Sequence, residues 1–343
     1  MNSTIYKNEE DAIEICIATD YSSQYVNFAE QIIWGTEGVK FSMKGLAIDF
    51  LRFSKPLFVS LYVKEQLISI SVLNHKVLHI NGREVDVFYS CLWCTDLNYH
   101  SKGYATLMIN QLTQYLFENY SNALVYAFVE RNNVIGKRVV QKAGFRSFAD
   151  FNISTAINIY PVANKNCRHL KLHEKAKMLE LLNKQYVNRT FNDIMYSFDE
   201  HDYYVYSEGD TIYAGMQVKK MHWDLKWIDG IKGYILFNIY RKISFLKKYF
   251  DPTEFIYISI GNIYFNDKHA FKKLLNAIMH QYNVNTCLAY GLEDAYIDSQ
   301  IMNEMQPFVL KNKKASASIY VKSNSISLSS LGRFPFISIC DTI

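Results

Sequence analysis

Around residue 98 the chain changes its hydrophobic period, and few folds accommodate that change. Leu57–Val63, Leu67–Ile80 and Val85–Thr95 are rich in β-branched and aromatic residues. The turns Lys64-Glu65-Gln66 and Asn81-Gly82 separate them, and the second suits positive φ. Residues 57–95 therefore read as an antiparallel meander. The polar stretch Asn98-Tyr99-His100-Ser101-Lys102-Gly103-Tyr104-Ala105 follows. From Tyr104 to Phe117 apolar residues recur at Leu107, Met108, Leu112, Tyr115 and Leu116, which is a helical period. A strand thus feeds a glycine-bearing loop, and a helix leaves it. The first N–H groups of such a helix have no internal partner, and the helix dipole adds positive potential. A pyrophosphate suits that position. Gly103 removes a Cβ where phosphate would approach the backbone, Ala105 keeps bulk low, and Lys102 adds charge. Taken alone, the loop is equally compatible with a plain strand-to-helix turn.

The rest of the chain sets this element in a larger pattern. Ile13–Thr19 alternates like a strand, Ser22–Trp34 reads as a helix with Ser22 or Ser23 as its N-cap, and Val39–Phe53 reads as a second helix ended by Pro56. After the loop come a strand at Ala123–Val129, a helix at Asn132–Ala143 closed by Gly144, and an extended stretch at Phe145–Ile159. The order is β-α-α-β-β-β-α-β-α-β. Pro161 to Cys167 reads as a linker. Beyond it, Glu174–Gln185 is helical, and Tyr203–Tyr206 with Thr211–Met221 forms a hairpin. Ile231–Phe250 is mostly helical. Phe255–Ile260, Lys268–Tyr282, Thr286–Tyr290, Ala295–Met305 and Ala317–Val321 then alternate strand, helix, strand, helix, strand. That order repeats residues 85–159, a structural duplication without a repeated sequence. The expected division is 1–160 and 161–343, and 343 residues suit about two domains.

Composition excludes several classes. Net charge is +4 and is spread along the chain, and the cluster Lys311, Lys313, Lys314 is short, so no nucleic-acid partner is expected. Residues 1–20 carry Glu9, Glu10, Asp11 and Glu14 and do not resemble a signal peptide. Ile231–Phe250 is broken by Lys232, Arg241, Lys242, Lys247 and Lys248, so it is not a span, and no membrane partner is expected. The expected location is cytoplasmic, with six cysteines as reduced thiols. Cys91 and Cys94 lack a second ligand pair, and strand alternation would put them on opposite faces. His169 and His173 lack a third ligand, so no metal is expected.

His100-Ser101-Lys102-Gly103-Tyr104-Ala105 resembles the Q/R-x-x-G-x-G/A signature of the GCN5-related N-acetyltransferase (GNAT) family, with His in the first place. Asn133, Gly136, Gly144 and Phe145 match the family's downstream spacing, and the element order over about residues 1–155 matches too. The resemblance implies an α/β (α+β) fold of two tandem GNAT-like domains, each a mixed, mostly antiparallel sheet flanked by helices. It implies acetyl-CoA as co-substrate. Backbone groups of Trp93, Cys94 and Thr95 would pair with pantetheine and stabilise the oxyanion. N–H groups from His100, Ser101, Lys102, Gly103, Tyr104, Ala105 and Thr106 would hold the pyrophosphate, and the Asn133 side chain would reach the pantetheine or thioester end. The partner would be a small-molecule or peptide amine, which the sequence does not identify; nor does it reveal oligomeric state.

The match fails at the acid/base positions. Where the family places Tyr or Glu, this chain has Val140, Phe128 and Tyr89. Three substitutes are Glu130, two residues past Phe128; Tyr89 itself; and Asp341 in the tail Cys340-Asp341-Thr342-Ile343, together with the terminal carboxylate. These changes also motivate a rival reading as a non-catalytic acyl-CoA-binding protein. The second half lacks the phosphate loop: Gly261–Ala270 carries Asp267 where phosphate would sit. It resembles the degenerate partner domain of tandem acetyltransferases, which completes the acceptor cleft.

Overall fold

The meander over residues 57–95 forms and extends at both ends. A computed structural model describes residues 2–36, 38–239, 243, 251–292, 295–305, 317–332 and 334–341. The strands of the first half are β1 (Asn2–Asn8), β2 (Ile13–Ala18), β3 (Val39–Met43), β4 (Pro56–Val63), β5 (Gln66–Ile80), β6 (Arg83–Thr95), β7 (Ala123–Glu130) and β8 (Arg146–Ile157). Its helices are α1 (Ser23–Gln31), α2 (Leu46–Phe50), α3 (Tyr104–Asn119) and α4 (Val134–Lys142). The second half contributes β9 (Cys167–His169), α5 (Lys175–Gln185), α6 (Ile194–Ser197), β10 (Tyr203–Glu208), β11 (Thr211–Ile228) and α7 (Gly230–Asn238). It closes with β12 (Phe255–Phe265), α8 (Lys268–Gln281), β13 (Thr286–Gly291), α9 (Tyr296–Glu304) and β14 (Ala317–Ser323).

One 14-stranded sheet runs β1-β2-β4-β5-β6-β7-β14-β8-β13-β12-β11-β10-β9, with the fourteenth strand, β3, pairing with β11 off this path. Its centre is a reciprocal exchange. β14, the last strand of the second half, pairs antiparallel with β7, while β8, the last strand of the first half, pairs antiparallel with β13. β14 and β8 also pair with each other, which joins the halves through continuous backbone hydrogen bonding. Each half therefore needs the other to complete its sheet.

Two apolar layers cover the first half. Met108, Ile109, Leu112 and Leu116 of α3 and Val140 of α4 pack on Phe88, Val125 and Val129. The opposite face holds Tyr25 and Ala29 of α1 and Leu46 and Phe50 of α2, against Tyr89, Cys91 and Tyr126. Burying such faces is the main favourable term for a sheet of this size.

Two expectations are corrected. Val39–Phe53 is not one helix: Val39–Met43 is a strand, Gly45 has φ 75°, and a single short helix, Leu46–Phe50, follows. The cause is tertiary, because β3 pairs with Trp223–Ile228 of β11, and Phe41 stacks on Trp223 with ring centroids 3.8 Å apart. Strand β1 was absent from the sequence reading, since NSTIYKN is polar and lies at the sheet edge against β2. The helix expected over Ile231–Phe250 is present as α7, and most of the remainder lies outside the described residues, as do Lys311, Lys313, Lys314 and Ile343.

Candidate active site

The site starts where two parallel strands part. β6 and β7 pair from Asp86↔Ala123 to Ser90↔Ala127, and no further. Both continue, β6 to Thr95 and β7 to Glu130. Backbone groups facing such a gap lack strand partners, and an amide-bearing ligand can supply them. A bulge opens the gap: Leu92 has φ 52°, and the register against β5 slips between Val72↔Cys91 and Ile70↔Cys94. Positive φ is costly for leucine, so the surrounding sheet must hold it there. A bulge re-aims the side chains that follow it. Trp93 packs toward α3, and its indole N–H donates to Ser90 Oγ at 2.6 Å. Cys91 and Cys94 both border the opposite layer, so they share a face, contrary to the simple alternation expected; the bulge has reset the pleat. Burial raises both thiols well above the ordinary range, which leaves them as protonated core groups.

The loop that follows is built for its helix. Asp96 caps the turn Leu97–Tyr99 by accepting from Asn98 N at 2.8 Å. His100 Nε2 lies 2.8 Å from the Thr95 carbonyl oxygen; a carbonyl only accepts, so this nitrogen carries the proton. The His100 N–H is spent on the Leu97 carbonyl at 3.2 Å, so it is not among the free loop donors. Ser101 has φ 62° and Gly103 φ 84°. Lys102 Nζ lies 4.8 Å above the Tyr99 ring. The first bond within α3 runs from Leu107 N–H to the Gly103 carbonyl at 2.9 Å, and no side chain caps the helix. The N–H groups of Tyr104, Ala105 and Thr106 therefore have no helical acceptor. A Cβ added to Gly103 would meet nothing within 4 Å. Gly103 itself is exposed, and Tyr104, Ala105 and Thr106 are half-buried.

Asn133 has a structural task. It is the N-cap of α4, and its Oδ1 accepts from Gly136 N at 2.7 Å. A Cβ at Gly136 would fall 2.9 Å from the Asn133 side chain. The spacing of Asn133 and Gly136 is thus a capping requirement, whatever else the amide touches.

Of the three acid/base candidates, Tyr89 and Asp341 come together and Glu130 stands apart. Glu130 is exposed at the end of β7, and its Oε2 accepts from Thr36 N at 2.9 Å and Thr36 Oγ1 at 2.5 Å. Asp341 lies in a short turn, Ile339–Asp341, and is only 1% exposed. It accepts from Lys76 Nζ at 2.8 and 3.0 Å and from the Tyr126 hydroxyl. Lys76 also donates to Asp193. The Tyr89 and Tyr126 rings are 5.2 Å apart, and these residues form the pair next to the last parallel pair, Ser90↔Ala127. The cluster therefore sits at the apex of the gap, on the α1–α2 face. Burial pushes the Asp341 carboxyl above the usual carboxylate range, opposed by Lys76. Burial alone would lower Lys76, but Asp193 and Asp341 outweigh it and hold the ammonium above its ordinary value. Burial, then the Asp341 charge, raises Tyr126 far above an ordinary phenol. Lys76, Tyr126 and Asp193 were missed in the sequence. Lys76 had a signal, a lone cation inside an otherwise buried strand; Asp193 had none.

The second half repeats the geometry and fills it. β12 and β13 are parallel from Ile258↔Cys287 to Ile260↔Ala289, then separate. The register of β12 against β11 slips between Gly215 and Gln217, and Asn262 has φ 46°, matching the bulge at Leu92. Here the gap is lined by the chain's own tail: Phe336, Ile337 and Ile339 border the same pocket as Gly261 and Tyr290. A Cβ at Gly261 would fall 2.7 Å from the Ile339 Cβ. The following helix, α8, is capped by Asp267, which accepts from His269 N at 2.8 Å. Among the described residues no group of three or more His, Cys, Asp or Glu side chains could hold a metal ion.

No protein-family model matches the sequence, and none of the curated proteins matches it. Solved structures do. The chain is similar to a Saccharomyces cerevisiae N-myristoyltransferase structure with bound myristoyl-CoA at 10% identity and TM-score 0.62, covering 95% of this chain and 89% of that one. A second structure of the yeast enzyme, also with bound myristoyl-CoA, gives 11% identity and TM-score 0.60, covering 92% and 80%. At such identities the likeness concerns the fold. Together with the paired gaps and the exchanged strands, it establishes that the chain has a GNAT-like fold of two tandem units.

Proposed function

We propose that the chain is an acyl-CoA-dependent N-acyltransferase whose acyl-CoA lies in the gap between β6 and β7. The observation that carries the reading is the alignment of the gap with the uncapped N-terminus of α3 at Gly103, with Asp341 at the gap's apex. Pantetheine amides would pair with backbone at Trp93, Cys94 and Thr95. The pyrophosphate would take N–H groups from Ser101 to Thr106, with Lys102 nearby. The amine nitrogen attacks the thioester carbonyl carbon, the C–N bond forms, and the C–S bond breaks. An amine loses a proton in that step, and the leaving thiolate gains one. Asp341, linked to Tyr126 and adjacent to Tyr89, is the proposed proton acceptor; its raised affinity for protons suits that task. Activity would then fall on acidification through a limb above the ordinary carboxylate range.

Acetyl is the proposed acyl group, because the rings of Tyr89, Tyr126 and Phe128, 5.0–5.9 Å apart, pack directly beside the apex. Myristoyl-CoA is the direct competitor, since it is bound in the similar solved structures. The acceptor is an amine, as a small molecule or a peptide. Titration calorimetry with acetyl-CoA and with myristoyl-CoA tests the reading; neither binding at concentrations well above micromolar rejects it. Thiol release with an amine library separates transfer from binding. One observation favours the rival, binding without transfer: Asp341 is buried and already neutralised by Lys76. Tight acyl-CoA binding with no thiol release on any amine would favour that rival.

A further inference from the structure

One buried ammonium at the apex serves two carboxylates. Lys76 Nζ donates to Asp193 and to both oxygens of Asp341, and all three side chains are at most 1% exposed. Asp193 Oδ1 is buried and, among the described residues, accepts from no donor. The other groups facing Asp341 bring no charge to balance this. Burial raises Tyr89 and Tyr126 far above an ordinary phenol and raises the Cys91 and Cys340 thiols, Cys340 to about 12, so all four stay neutral. Lys219 of β11, within electrostatic reach of both thiols, pairs with Asp49 of α2 at 3.2 Å. β12 meets the turn through Gly261 against Ile339. Lys76, Asp193 and Asp341 therefore set two negative charges against one positive.

Asp193 is held in this place at a local cost. It is the N-cap residue of α6, where an aspartate normally turns its carboxylate to the first helical N–H groups. Here no side-chain cap bond forms, and the carboxylate turns inward to Lys76. Two residues earlier Phe191 has φ 62°, a costly conformation for an aromatic residue, and its ring stacks on Tyr126 with centroids 5.1 Å apart. Thr190 donates its N–H to the Phe334 carbonyl at 2.9 Å and accepts from Phe336 N at 2.6 Å. The segment bearing Asp193 is thus fixed to the strand and to the tail that carry its partners.

A buried carboxylate that must share its cation with a second one binds a proton more tightly than one with a cation to itself. We propose that Asp193 is a positioning residue: by drawing on the ammonium that faces Asp341, it keeps Asp341 a stronger base than Lys76 alone would leave it. The direction found for Asp341 fits: burial raises its carboxyl, Lys76 opposes the rise and Asp193 reinforces it. The base role of Asp341 rests on the function proposed above, whereas the charge relation between the two carboxylates does not.

Asp193→Asn keeps the shape and removes the competing charge. The first test needs no acyl-CoA: chemical unfolding of the full chain from about pH 4 to about pH 8. A carboxyl with raised native proton affinity contributes stability that is present below its unfolded value of about 3.9 and is lost as pH rises through the native value. The variant escapes that loss. Its stability relative to wild type is expected to rise across the range, by about tenfold or more in the folded-to-unfolded ratio. Asp341→Asn removes the other charge and should show the same gain. A merely structural ion pair would instead leave Asp193→Asn less stable than wild type throughout, with no gain above about pH 4. That result, or a variant that fails to fold at neutral pH, overturns the proposal. The second test is the pH profile of kcat/KM for transfer, whose acid limb is expected to lie about one pH unit or more lower in Asp193→Asn. An unmoved limb overturns the proposal. Absence of transfer by the wild type would count against the function proposed above, and the unfolding result would still decide this one.

Discussion

The two halves of this chain are built on one plan and end in opposite conditions. Each has a parallel strand pair that separates just before a bulge, with a residue at positive φ in the bulge: Leu92 in the first, Asn262 in the second. In the first half the gap leads to a helix capped by Gly103, with no side chain at its N-terminus. In the second half the gap is lined by the chain's own tail and the helix is capped by Asp267. The difference separates what this architecture supplies from what a ligand must supply. Splayed strands and a helix terminus leave polar groups that need partners. In the second half the Asn262 carbonyl accepts from Tyr203 and the Ile263 carbonyl from Gln185 and Tyr186, Asp267 caps the helix, and the tail packed against Gly261 carries Asp341 to the apex of the first.

The largest expected effect comes from the joint between the halves. Lys76 joins Asp193 and Asp341 in a buried cluster, so Lys76→Met would leave two carboxylates buried without a cation. Unfolding titration should show a loss of about 3–5 kcal/mol. A loss below about 1 kcal/mol would mean that the tail is not held as described.

The paired glycines sharpen the contrast. Gly261→Ala would drive a Cβ into Ile339 and should cost about 1–3 kcal/mol, shifting the turn that carries Asp341. Gly103→Ala meets open space, and its cost of about 1 kcal/mol reflects only positive φ. The two variants can be compared in one denaturation series; equal costs would break the comparison.

Asp267→Ala removes the cap of α8 and should cost about 1 kcal/mol without changing acyl-CoA binding. The smallest effect lies away from both gaps. Arg168 holds the Glu174 carboxyl down to about 2 through hydrogen bonds at 2.7 Å. A depressed carboxylate contributes stability that is present above its unfolded value near 4.3 and is lost as pH falls toward 2. Glu174→Gln should therefore lower stability near neutral pH by about 1 kcal/mol, since the pair is partly solvated, and flatten that acidic decline.

Much of this was legible in the sequence because it is local. The change of period at Asn98–Ala105, the Asn81-Gly82 turn, the Ser22 cap and the Gly144 terminus each depend on a few neighbouring residues, and each forms as read. What escaped depends on distant partners. Val39–Met43 is a strand because β11 pairs with it, and Cys91 and Cys94 share a face because a bulge intervenes. Asp341 was legible as a candidate only from its place in the tail. It lies 265 residues from Lys76, 215 from Tyr126 and 148 from Asp193, which shares Lys76 with it, beyond any local pattern. The exchange of β8 and β14 has no signature within either strand.

The most direct test of the central claim is calorimetric titration of acyl-CoA into the wild type, into Gly103→Glu and into Asp267→Ala. The account predicts one site per chain in the wild type and in Asp267→Ala. It predicts a loss on the order of a hundredfold or more in Gly103→Glu, where a carboxylate would meet the pyrophosphate. Binding unchanged by Gly103→Glu, or two sites per chain, would contradict it.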